Sequence, residues 1–224
     1  MQGPGTAYPG FGADRWRHRA HRQFQLSQFD HPGAGYPHID ICLEEGTTRE
    51  LEDFAIQGKT DFSIVVKPTG HRDLDYIELF REELLLAVSP DWGLGREPLH
   101  DEGLHSRYPV FDYHSLDGHP FLVMKEGQEL RHSFFALVEA LDISPTVALE
   151  TTDMATAQTL AGIGVGAAIV PGGLALANIP AVEPKYFSLR AYLDDWDIVL
   201  AYKRGRYLSK ADKAVIRVIC DVAG

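Results

Sequence analysis

One stretch constrains the fold of this chain more than any other: Asp153 to Pro171. Asp153 stands where a helix N-cap is wanted, because its carboxylate accepts from the N–H groups that the first helical turn leaves free. Met154, Ala157 and Leu160 then recur on one helical face. Gly162 closes the pattern as a glycine C-cap. The run Gly162-Ile163-Gly164-Val165-Gly166-Ala167-Ala168-Ile169-Val170-Pro171 goes on as a buried strand. Such a strand is apolar on both faces and belongs inside an α/β sheet. The glycines invite comparison with a phosphate loop. They are not followed by Lys-Ser/Thr, however, and they do not stand between a strand and a following helix. Ending a helix and letting a strand pack tightly is the better account.

Other segments repeat the theme. His38 to Glu44 alternates Ile39, Ile41 and Leu43 with Asp40, Cys42 and Glu44, the pattern of a strand. Glu45-Gly46-Thr47-Thr48 supplies a turn and a cap. Leu51, Phe54 and Ala55 fall at helical spacing over Arg49 to Gln57, and Gly58 stops that helix. Asp61 to Val66 reads as a buried strand, so strand, helix and strand make a βαβ unit on a parallel sheet. Tyr76 to Ser89 is a strand, or two strands meeting at a kink. Asp91 to Ser106 is polar and holds short helices at most. A second set follows: a strand at Phe121 to Met124, a helix from Glu129 to Leu141 and a strand at Thr146 to Leu149. In that helix Leu130, Phe134, Leu137, Val138 and Leu141 fall at helical spacing, and Phe134, Leu137, Val138 and Leu141 are the core stripe. Pro180 to Leu189 and Asp197 to Tyr202 are further strands, and Ser209 caps a last helix from Lys210 to about Val222. The class is α/β, with two lobes in series and a cleft at the carboxyl ends of the strands.

Composition excludes several classes. At 45% hydrophobic and 24% charged residues the chain is globular. No run approaches the roughly 18 apolar residues of a membrane span. Met1 to Gly5 begins no signal peptide, so a cytoplasmic location is the expectation. The net charge of −11 opposes a phosphate backbone, so no direct nucleic-acid binding is expected. The basic residues Arg15, Arg17, Arg19 and Arg22 lie in a Gly-, Pro- and His-rich segment, residues 1–35, with the composition of loop or disorder; a weak helix over Asp14 to Phe29 is the alternative. Cys42 and Cys220 are read as reduced, buried thiols, since neither belongs to a CxxC pair. No H-E-x-x-H or other ligand spacing marks a metal site. Asp112, His114 and Ser115 are neighbours in a loop without a G-x-S-x-G elbow, which is no basis for a triad. No cofactor is expected.

Four stretches in order carry a likeness to a known family. They are Tyr36-Pro37-His38-Ile39-Asp40-Ile41 with Glu45 to Leu51; Gly58-Lys59-Thr60-Asp61-Phe62-Ser63-Ile64; Leu79 to Val88; and Thr159 to Pro171. Together they resemble the effector-binding domain of LysR-type transcriptional regulators. The resemblance implies a two-lobed fold like a type 2 periplasmic binding protein over residues 36–224. Lobe I would be about 36–88 with the returning segment 195–224, and lobe II about 89–194. The family's winged helix-turn-helix is not recognisable here, nor is the first strand and helix of its effector domain before Tyr36. Residues 1–35 read either as GC-rich DNA translated in a shifted frame or as a truncated start. Translating the upstream DNA in the other two frames distinguishes the two.

The resemblance also implies where an effector sits: Thr47, Thr48 and Val66, Lys67, Pro68 from lobe I, and Lys125 to Gln128 with Thr151, Thr152 and Asp153 from lobe II. Helix N-termini and Thr hydroxyls suit a carboxylate, and Lys67 or Lys125 would add charge. Plain helix capping by Thr47, Thr48 and Asp153 is the competing account. The expected role is a ligand-sensing, non-enzymatic module that forms a homo-oligomer, a dimer or tetramer. A transporter's solute-binding protein and an enzyme on the same fold are the alternatives.

Overall fold

The computed structural model describes residues 42–67, 71–94 and 102–223. Two sheets organise them. The first has the order β1-β8-β2 and is antiparallel, formed by β1 (Ser63–Val66), β2 (Leu74–Glu82) and β8 (Trp196–Lys203). Helix α1 (Thr48–Gln57) packs on it through Leu51 and Ala55, against Val65, Leu74, Val199 and Ala201. The last helix, α5 (Lys210–Ala223), lies near β2.

The second sheet has the order β5-β4-β6-β3-β7. Its strands are β3 (Leu84–Val88), β4 (Pro120–Met124), β5 (Thr146–Thr151), β6 (Ala167–Pro171) and β7 (Lys185–Ser188). β4 runs parallel to β5 and β6, while β3 is antiparallel to β6 and β7. Helices α2 (Glu129–Leu141) and α3 (Met154–Gly162) cover it, and the short α4 (Gly172–Ala177) follows β6. Every residue of β3 and β6 is buried, as their unbroken apolar sequences demand. The larger core lies here, with Phe121, Phe134, Leu137, Leu141 and Phe187 at its centre.

The chain passes between the sheets twice, at Glu83 and again over residues 189–195. Leu189 N–H, at the start of the second crossing, donates to Leu84 O beside the first at 3.1 Å, and Gly172 N–H at the start of α4 donates to Glu83 O at 2.8 Å. The Arg190 guanidinium forks onto Asp195 at 2.8 and 2.7 Å and lies 3.8 Å from Glu83. Glu83 also accepts from Ser106 Oγ at 2.5 Å and Ser188 Oγ at 2.7 Å. This cluster joins the two crossings between the sheets.

Several expectations change. Leu84–Val88, expected within lobe I, is a central strand of the second sheet, because its two neighbours in hydrogen bonding are β6 and β7. Cys42 to Glu44 is irregular, with no strand among the described residues to pair it; the rest of the strand expected at His38, the basic cluster, the Asp14–Phe29 helix and residues 1–35 lie outside the described residues. So does the parallel partner expected for β1, whose described pairing is antiparallel. Only Lys185–Ser188 of the strand expected over Pro180 to Leu189 is extended into a sheet. Gly162 is still helical, and Ile163 is the C-cap, with Gly164 at φ +85° behind it. Cys42 is exposed and Cys220 half-buried, both free. Among the described residues no helix is long and apolar enough to cross a membrane, and no cluster of His, Cys, Asp or Glu has the form of a metal site.

Candidate functional site

A cleft opens between the lobes, with about 600 Å³ of empty space including its mouth. From the first lobe it is lined by Gly46, Thr47, Thr48 and Leu51 at the start of α1, and by Ile64, Val65 and Val66 of β1. From the second come Gly127, Gln128, Glu129 and Leu130 at the start of α2, and Met154 at the start of α3. Trp196, where the chain re-enters the first sheet, completes it. The lobes approach each other at Gly127, where a Cβ would stand 3.3 Å from Thr47 Cγ2.

Three helix N-termini thus meet at one cleft, each for a local reason. Thr47 caps α1 in a capping box: its Oγ1 accepts from Glu50 N–H at 3.3 Å, while Glu50 Oε2 accepts from Thr47 N–H at 2.8 Å and Oγ1 at 2.9 Å. These hydrogen bonds from Thr47 hold the Glu50 carboxyl below its usual pKa. Asp153 Oδ1 caps α3, accepting from Ala155 N–H at 2.9 Å and Thr156 N–H at 3.2 Å. Gln128 stands at the N-cap of α2 but its side chain makes no capping bond. The four-residue excursion from Lys125 is closed by Gln128 N–H donating to Lys125 O at 3.2 Å.

The geometry therefore sorts the expected residues. Thr47, Thr48, Val66 and Gln128 come together in the cleft. Thr47 is already engaged by Glu50. Thr48 and Gln128 have side chains with no hydrogen-bond partner among the described residues. Thr151 and Asp153 are occupied with each other and with α3, Thr151 Oγ1 accepting from Asp153 N–H at 3.1 Å; Thr152 is exposed beside them. Lys67 points to Glu78, Nζ to Oε1 2.8 Å, and that carboxylate raises the lysine pKa. Lys125 is exposed and outside the described lining. Pro68 lies outside the described residues. Sequence reasoning missed Gly46, Leu51, Ile64, Val65, Glu129, Leu130, Met154 and Trp196. Leu51 and Leu130 show in the sequence only as apolar residues at helical spacing, and Trp196 carries no sequence signal. The neighbours Asp112, His114 and Ser115 form a surface turn: Ser115 Oγ donates to Asp112 O at 2.6 Å, not to the imidazole.

Residues 33–223 match the family model described as the LysR substrate binding domain. The uncharacterized HTH-type transcriptional regulator YcgK of Bacillus subtilis (strain 168) is 27% identical over 195 residues, which cover 83% of this chain and 58% of that protein. The chain thus spans a little over half the length of the curated relatives it matches most significantly. Among solved structures, the Synechocystis PCC6803 CcmR regulatory domain in complex with 2-PG superposes with a TM-score of 0.70 at 16% identity, covering 88% of each chain. The effector binding domain of QuiR in complex with shikimate does so at 0.67 and 19%, covering 89% of this chain and 88% of that one. These likenesses carry the fold, two lobes of the periplasmic-binding-protein type.

Proposed function

The chain belongs to the LysR substrate binding domain family, and from that premise we propose that its interlobe cleft senses a small organic acid as a regulatory effector. The observation that carries this reading is the meeting of Thr48 and Gln128. A hydroxyl and an amide from opposite lobes line one cleft beside the N-termini of α1 and α2, without partners among the described residues. A carboxylate laid there accepts from both and faces the positive ends of two helices. An effector that touches both lobes favours the closed arrangement by its difference in affinity for closed and open states. The HTH-type relatives support placing such a domain in a longer, cytoplasmic, DNA-binding regulator, with this acidic portion sensing and associating. Bound 2-PG and shikimate in the related domains support an acidic small molecule as the class.

A thermal-shift screen of the purified protein against small organic acids tests this. Binding to the native state adds about 2.7 kcal/mol at 100 times Kd, roughly 5–11 °C for a domain of this size. The double variant Thr48→Val, Gln128→Leu is expected to lose most of the shift while keeping its own melting temperature. A shift unchanged in that variant would move the site elsewhere, and no shift with any acid would sink the acid reading.

The partner surface follows from β5. It is the outer strand of its sheet, and Thr146 to Glu150 are all exposed, including Val147 and Leu149 at 50% and 40%. Beside it on α2, Phe135 is 51% exposed, and Arg131 links the two elements through Glu150 at 2.7 Å. An apolar patch on an outer strand is suited to self-association. Val147→Lys with Leu149→Lys is expected to reduce the mass seen by light scattering from a dimer or larger to the monomer. An unchanged mass would assign the interface elsewhere.

A further inference from the structure

The charge of the cleft narrows the effector further. Its wall is largely apolar, through Leu51, Ile64, Val66, Leu130, Met154 and Trp196. Among its described lining residues there is no Lys, Arg or His. Lys67 is held by Glu78 on another face. Among the described lining residues, positive potential comes from helix N-termini, each worth roughly half an elementary charge at best. That suffices for one carboxylate and leaves a second, or a phosphate, without a counter-charge.

The lining instead contains a negative side chain. Glu129, the first residue of α2, lines the cleft, and its side chain has no hydrogen-bond or ion-pair partner among the described residues. Across the gap it repels Glu52 of α1. The Glu52 carboxyl is pushed above its usual pKa mainly by burial, with Asp53 and Glu129 adding to it while the Tyr76 hydroxyl and His71 oppose it. A plain acid entering here brings its negative charge to a place that already has one. An ammonium on the same molecule reverses that interaction, because a charged donor meeting a carboxylate is among the stronger hydrogen bonds available.

We propose that the effector is a zwitterion, with one carboxylate at the helix N-termini, an apolar body along the Leu51–Met154–Trp196 wall, and a cationic amine received by Glu129. This deepens the organic-acid reading of the same cleft and rests on it. The test uses isosteric series. The standard L-amino acids are screened by thermal shift and calorimetry, and the tightest is compared with the 2-hydroxy acid and the amine-free acid of the same side chain. The amino acid is expected to bind about tenfold tighter or better than either. Glu129→Gln is expected to remove that advantage while leaving the amine-free acid's affinity unchanged or improved. Equal binding of the three members overturns the zwitterion and leaves the acid reading standing, as does an amino-acid affinity indifferent to Glu129→Gln. Binding only of acids outside the series does the same. Failure of every acid and amino acid overturns both.

Discussion

Gly162→Ala will lower the melting temperature by roughly 6–12 °C, the equivalent of about 3 kcal/mol in a domain of this size. The sign is not the one that helix propensity predicts. Gly162 is the last residue of α3, and alanine at a helical position ordinarily gains up to about 1 kcal/mol over glycine. Here the added Cβ would stand 2.0 Å from the carbonyl oxygen of Val182 and 3.5 Å from Pro184 Cδ. The obstacle is backbone, held by the segment that leads into β7, and it cannot rotate aside as a side chain would. Overpacking therefore outweighs the propensity gain. Gly58→Ala is the instructive control: nothing lies within 4 Å of its Cβ, but φ is +74°, so its cost is the smaller one of left-handed backbone, about 1–2 kcal/mol. Chemical or thermal melts of the two variants separate the mechanisms. Equal destabilisation would show that the α3–Val182 contact yields.

Arg190→Leu is the second large effect, expected to cost about 3 kcal/mol. The guanidinium donates to both oxygens of Asp195, and to the carbonyls of Leu104 at 3.3 Å and His105 at 2.5 Å. The Asp195 carboxylate raises the already high pKa of the guanidinium. Asp195 and Glu83 are each only 13% exposed. Leucine would leave both carboxylates at the crossings without their cation. Glu83 keeps its two serine donors, which is why the cost stays below that of stripping a fully buried pair. Arg190→Lys retains the charge but not the fork and is expected to recover about half the loss. Because the network joins both interlobe crossings, Arg190→Leu should also accelerate amide exchange at Glu83 to Leu85 and at Leu189 to Tyr192. A variant with unchanged exchange there would show that the backbone bonds alone fix the crossings.

Much of the local structure was legible before any coordinates. Helix α2 was read to its end residues because Leu130, Phe134, Leu137 and Leu141 recur at the period of one helical face. The cap at Asp153 was legible because it offers a side-chain oxygen one residue before an apolar-periodic run, whereas at the first helix the sequence offered Thr47 and Thr48 alike and the structure chose Thr47. The same reading could not separate α4 from the strand before it. Gly172 to Ala177 continues an apolar run without a cap side chain, and a short buried helix and a buried strand look alike there. It also left Leu84–Val88 in the wrong lobe. Apolarity reports that a strand is covered, not which strands cover it.

The candidate site divides along the same line. The sequence by itself determined that capped helix N-termini at Thr47 or Thr48 and at Asp153 would be available, because capping is set by residues a few positions apart; Gln128 came in only through the family resemblance. Only the tertiary structure decided which of them share a cleft. It sent Lys67 to Glu78, spent Thr151 and Asp153 on α3, and brought Glu129, Met154 and Trp196 to the opening. The physical reason is range. Periodicity and capping act within a turn or two of chain, whereas the charge and shape of a cleft depend on how two lobes, joined by crossings more than 100 residues apart in sequence, are held at Glu83, Arg190 and Asp195.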